Sequence, residues 1–232
     1  YVPFLIDDVL VIKGGDSTLY GTNAMGGVVV LRSRWREEDG QELVSDSAIG
    51  SYATVRETVT GLARTGAWDL AVGVHAMAPA GDRDGAGGDQ LVGSAAARHR
   101  FTPRLTLTAR NKEVHLDGAD PGPVTHPNPD HWYDVWRDTA SLGLDWSQGR
   151  VHLRLTPYVN VGVHELYDGF RSVDHVGGGI AEAQVRTGSI ADVLVGTAWQ
   201  QVGGRVMDRV SGERSLVEGT TDNRNRPVSE IR

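Results

Sequence analysis

The chain reads as an all-β protein of antiparallel strands, and three observations predict it. The first is side-chain alternation: long stretches switch between apolar and polar residues at every position, the two-residue period of a strand with two unlike faces. The second is the spacing of connections, which run short, long, short, long along the chain. The third is that no apolar run is long enough for a membrane helix. A strand crosses a bilayer with only about 9–11 residues, half of them apolar, so strands keep the membrane open to this chain. Short turns on one side and long loops on the other are the arrangement of an incomplete transmembrane β-barrel. A two-sheet sandwich has no reason to put every long loop at one end.

The elements follow in order. In residues 1–33, two β-branched runs, Val9–Ile12 and Val28–Leu31, flank a segment of Gly, Asp, Ser, Thr and Asn, which reads as two buried strands joined by tight turns. Residues 34–46 carry the charged run RWREEDGQE and read as a linker. From residue 47 the alternation predicts about eight strands, at about 47–64, 67–78, 90–101, 104–115, 137–147, 151–164, 174–186 and 190–203. The clearest lies at Val151–His164. There Val151, Leu153, Leu155, Pro157, Val159, Val161 and Val163 share one face, and His152, Arg154, Thr156, Tyr158, Asn160, Gly162 and His164 the other. Pro157 removes one ladder donor and marks a local irregularity. Trp68, Leu70, Val72 and Val74 alternate with Asp69, Ala71, Gly73 and His75, and Leu142, Leu144 and Trp146 alternate with Gly143 and Asp145. Thr65-Gly66, Thr102-Pro103, Ser147–Arg150 and Thr187–Ser189 are short turns. The intervening segments, at about 79–89, 116–136, 165–173 and 204–232, read as long loops rich in Gly, Asp, Pro and His. Trp68, Phe101 and Trp146 all fall beside short turns, as one aromatic girdle of a barrel would.

The segment VLVIKGGDSTLYGTNAMGGVVVLRS resembles the end of the plug domain of TonB-dependent outer-membrane receptors, through Gly14, Ser17, Leu19, Tyr20, Gly21, Asn23, Ala24, Gly26, Gly27 and Val28. Gly15 stands where that family usually has Pro. Gly50-Ser51-Tyr52, Asp130–Asp134 and Gly162 to Phe170 are further points of likeness. The resemblance implies that residues 1–33 end a plug and that residues 47–232 begin a 22-stranded barrel with a plugged lumen. It implies a multi-pass protein of the cell outer membrane. Such a receptor captures a scarce extracellular solute, siderophore–iron, cobalamin or another metal chelate, and takes it up with energy from the inner-membrane TonB complex. It implies binding and gating rather than enzyme chemistry, with outer-membrane lipid as the surrounding partner and no cofactor. The signal peptide, the TonB box and the rest of the barrel are expected outside this sequence.

Bulk properties narrow the classes further. A net charge of -7, from 30 acidic and 23 basic side chains, is a poor match for a nucleic-acid backbone. With no cysteine there is neither a disulfide scaffold nor a thiolate metal site.

Two other readings compete for these motifs. Gly15-Asp16-Ser17 after an apolar run looks like the nucleophile block of a GDS-type hydrolase. That reading needs a helix after Ser17 and an Asp-x-x-His pair, and none of the 8 histidines has an Asp three residues before it. A soluble or surface-exposed antiparallel binding or adhesion domain shares the alternation but not the one-sided loops. No catalytic residue and no compact metal motif is assigned. Candidate ligand contacts are His126, His131, Trp132, Tyr133, His164, Asp168 and His175, polar or stacking residues in the long loops and strand ends. Arg110, Asp145, Arg154 and Glu182 fall on polar strand faces and are expected to meet the plug.

Overall fold

A computed structural model describes residues 2–14, 26–128, 130–187 and 192–212, together with the backbone of 214–221 and 227–231. Two sheets account for nearly all of it. A hairpin pairs β1 (Ile6–Lys13) with β2 (Gly27–Ser33). An 11-stranded antiparallel meander then runs in strict sequence order. Its strands are β3 (Gly40–Ile49), β4 (Val55–Thr65), β5 (Trp68–Ala78), β6 (Gly88–Thr102), β7 (Leu105–Ala119), β8 (Trp132–Gln148), β9 (Val151–Leu166), β10 (Phe170–Arg186), β11 (Asp192–Asp208), β12 (Arg214–Thr221) and β13 (Pro227–Ile231). The described residues contain no α-helix, and a 3-10 turn at Pro3–Leu5 precedes β1. β3 and β13 do not pair with each other, so the barrel wall is open.

The wall is inside-out relative to a soluble protein. On β5 the large apolar residues face outward and remain exposed: Trp68 48%, Leu70 46%, Val72 53% and Val74 51%. Their alternates face inward, where Asp69 is 0% and Ala71 3% exposed. The register carries this polarity across neighbours, because directly paired residues share a face. Outward Leu70 pairs with Ala97 and outward Trp146 with both Leu105 and Leu153. The aromatic row at the turn end is present, with His99 between Trp68 (4.2 Å between ring centroids) and Phe101 (4.5 Å). The 3-10 turn ahead of the hairpin lies against the inner face. A Cβ placed on Gly73 would sit 2.8 Å from Val2 Cγ1 and 3.0 Å from Leu5 Cδ1.

Several expectations on boundaries are corrected. The expected linker at 34–46 gives way to β3 at Gly40. The strand expected at 47–64 is two strands, joined by a turn at residues 50–54 in which Tyr52 (φ 57) and Ala53 (φ 50) are left-handed and Gly50 N–H donates to the Thr54 carbonyl (2.8 Å). β3 carries few apolar residues, so its alternation is nearly silent in the sequence. The loops at 79–89 and 116–136 shrink to 79–87 and 120–131, and the one at 165–173 becomes a turn of 167–169. Residues 204–208 finish β11, and β12 and β13 follow it, so the eight expected strands become eleven. The loop corrections share one physical reason: the strands continue past their apolar stretch. β8, β10 and β11 each have 17 residues. At about 3.3 Å per residue these are about twice the roughly 25 Å apolar band of a barrel. On the outer face of β8 the series Trp146, Leu144, Leu142, Ala140 changes to Asp138, Trp136, Asp134 at that boundary.

Candidate functional site

The inner face offers three levels of organised polar chemistry. At the turn end, β5 and β6 are in a register that opposes Asp69 to Arg98. Asp69 is fully buried, accepts from Arg98 Nε at 2.6 Å and from Arg100 Nη1, and lies 3.6 Å from Arg64 Nε. A buried carboxylate is costly unless paired, and three guanidinium groups supply the pairing. Arg64 also donates Nη1 to the carbonyls of Arg36 (3.1 Å) and Glu37 (2.7 Å). Arg98 stacks 4.5 Å above the Trp35 ring, and Arg34 reaches Glu42 at 2.7 Å. The segment between hairpin and wall is thus clamped to the wall by backbone, ring and ion-pair contacts together.

At mid-height a cleft of about 720 Å³ separates the hairpin from the wall, with Val29 and Leu31 on one side and Arg110, Thr139, Ser141 and Arg154 on the other. Arg154 Nε donates to Asp145 at 2.8 Å and Nη1 lies 3.8 Å from Glu182, while His152 Nε2 is 3.3 Å from Asp145. Of the four charges expected to meet the hairpin, Arg110, Asp145 and Arg154 line this cleft. Glu182 instead neutralises Arg154 along the wall.

At the loop end the wall carries an inward ion pair between Arg137 and Asp174, bidentate at 3.0 Å on both arms, with Asn160 accepting from Arg137 and donating to Thr139 (2.6 Å). Gly162 makes room for it: a Cβ there would lie 2.5 Å from Arg137 Nη2. Above this network Tyr133 and His164 face inward, each in register with inward neighbours of adjacent strands. Trp132 and His175 face outward. His131 stacks on Tyr167 at 3.5 Å, tying the 120–131 loop to the 167–169 turn. Asp168 Oδ1 accepts from the Phe170 N–H (3.0 Å) and so shapes its own turn, and His126 is exposed with Thr125 as its partner. Only Tyr133 and His164 among the seven expected contacts share the mouth of the lumen. Just beyond, Asp208 is held below the usual carboxylate range because it accepts the Ser211 and Val210 backbone N–H groups, which closes the next turn.

Of the hairpin motif, Gly14 (φ 95) and Gly27 (φ 148) adopt left-handed conformations that favour glycine, and Gly26 leads into β2. Ser17, Leu19, Tyr20, Gly21, Asn23 and Ala24 lie outside the described residues. The clamp residues Trp35, Asp69, Arg98 and Arg100 were not singled out from sequence; the available signal was a carboxylate alternating within an otherwise apolar strand.

No family model and no curated protein matches the chain. Solved structures do match. The siderophore receptor PiuA from Acinetobacter baumannii superposes with a TM-score of 0.70 at 14% identity, over 99% of this chain and 42% of that one. The copper transporter OprC superposes with a TM-score of 0.51 at 13% identity, over 99% of this chain and 47% of that one. The chain therefore spans less than half the length of either neighbour. One neighbour is a receptor and the other a transporter, and the chain shares their fold.

Proposed function

We propose that this chain is the end of the plug and the first part of the barrel of a TonB-dependent outer-membrane receptor. The whole protein captures a scarce solute, a siderophore–iron complex or another metal chelate, and imports it through the lumen. Residues 1–33 belong to the plug, the clamped segment joins the two parts, and the wall runs from Gly40 onward. The TonB complex supplies the energy for import. The inward Tyr133 and His164 at the mouth are the ligand contacts that best fit this reading.

The inside-out wall is the observation that carries it. Exposed outward Trp68, Leu70, Val72 and Val74 suit hydrocarbon, and inward Asp69 and His75 suit a polar lumen. A soluble sandwich needs the opposite, an apolar inner face. The 3-10 turn that seats the start of the chain on that inner face supports a plug, and the shared fold supports the receptor class.

The test is uptake in the native host, using strains that lack the full-length receptor or TonB. Radiolabelled ferric siderophores, cobalamin and copper chelates form the panel. Both deletions should abolish high-affinity accumulation of the same chelate. Unchanged accumulation of every panel member in the receptor deletion overturns the import reading.

A further inference from the structure

We infer that the outer face of β9–β11 holds a lipid with a phosphate-bearing headgroup. Its acyl chain lies in a groove along β10, and its phosphate meets Arg205 and His175. The inference rests on the outer-membrane reading above and adds a site to it.

The groove follows from side-chain size. Between residues 177 and 183 the outward positions of β10 are Ala183, Ala181, Gly179 and Gly177, all small, flanked by Leu153, Leu155 and Val159 of β9 and Val195, Thr197 and Trp199 of β11. Its lower part is an apolar hollow of about 540 Å³. Its upper floor is open, since a Cβ on Gly177 would meet nothing within 4 Å and one on Gly179 only Pro157 Cα at 3.9 Å. From Ala183 to His175 the strand covers roughly 26 Å, longer than the roughly 15 Å hydrocarbon of one leaflet.

Charge selects the headgroup. Above the apolar band, the outward positions of β6–β8 carry Asp89, Glu113, Asp117, Asp134 and Asp138, with no Lys or Arg among them. Over the groove the sign reverses. Arg171 and Arg209 neutralise Glu165 at 2.5 and 2.7 Å. Arg205 and His175 lie outward and exposed at the head of the groove. An anionic headgroup is thus repelled by one part of the wall and accepted by the other.

The experiment uses the full-length receptor extracted from outer membranes. It is placed in phosphatidylcholine nanodiscs doped with bisphosphorylated lipid A or its dephosphorylated form, and retained lipid is counted by native mass spectrometry. The wild type should retain the phosphorylated form preferentially. Arg205→Ala with His175→Ala should lower retention about fivefold or more. Gly177→Leu with Ala181→Leu, which fills the groove with residues suited to hydrocarbon, should lower it as well, and Asp138→Ala should not. Equal retention of both lipid forms, or retention unchanged in both double variants, overturns the site. A receptor that does not fractionate with the outer membrane at all fails the membrane reading instead.

Discussion

At the scale of single residues, the two faces of the strands were legible and their partners were not. The alternation of Trp68, Leu70, Val72 and Val74 with Asp69, Ala71, Gly73 and His75 stands in the sequence as it stands in the structure. That Asp69 is bound by Arg98 and Arg100, 29 and 31 residues away, depends on the register of β5 against β6, which local sequence does not encode. Gly73 shows the same dependence. In a strand it reads as a weak position, yet its missing side chain seats Val2 and Leu5 on the wall. Gly73→Leu should therefore push the 3-10 turn off β5 while leaving the outer face intact. Limited proteolysis of the full-length receptor should show faster cleavage before residue 14 with unchanged outer-membrane yield. An unchanged cleavage rate would mean the contact does not hold the segment in place.

At the scale of elements, the sequence predicted strands well where one face is strongly apolar and poorly where it is not. Val151–His164 became β9 almost unchanged, because seven consecutive outward positions are apolar or Pro. β3, with Gln41, Ser45 and Ser47 on the face that bears Leu43, merged with a linker and with β4. The loop-end extensions of β7–β11 look like loops in the sequence because their outward residues turn polar once they leave the apolar band, although the ladder continues. The band itself makes a quantitative prediction. Leu142 faces outward within it, and Thr156 faces inward onto the cleft. Leu142→Arg should cost about 2–4 kcal/mol in unfolding experiments in lipid vesicles, and Thr156→Arg far less. Equal costs at the two positions would contradict the assignment of faces.

At the scale of the whole molecule, the meander leaves one edge of β3 and one edge of β13 unpaired. In hydrocarbon an unpaired edge strands its N–H and C=O groups, and in water it templates association. The exposed apolar outer face adds to both effects. The 232-residue chain by itself should consequently aggregate or require detergent. A monodisperse monomer in detergent-free size-exclusion chromatography would sink the membrane assignment. The asymmetry of connections is weaker in the structure than in the sequence, since among the described connections of the wall only 79–87 and 120–131 are long. The polarity of the wall replaces it as the stronger argument.

The class of the protein was already legible in the amino-acid order: antiparallel strands with one apolar and one polar face, and a Gly-rich hairpin ahead of them. These are properties of neighbouring residues, and a strand's period displays them directly. Strand ends, the charge pairs across the wall and the side on which each candidate contact falls emerge from the assembled ladder. Tyr133 and His164 face the lumen, whereas Trp132 and His175 face away, because the register of β8 with β7 and of β10 with β11 assigns them opposite sides. Register is set by the whole ladder at once, and a shift of one residue would reverse every one of those assignments.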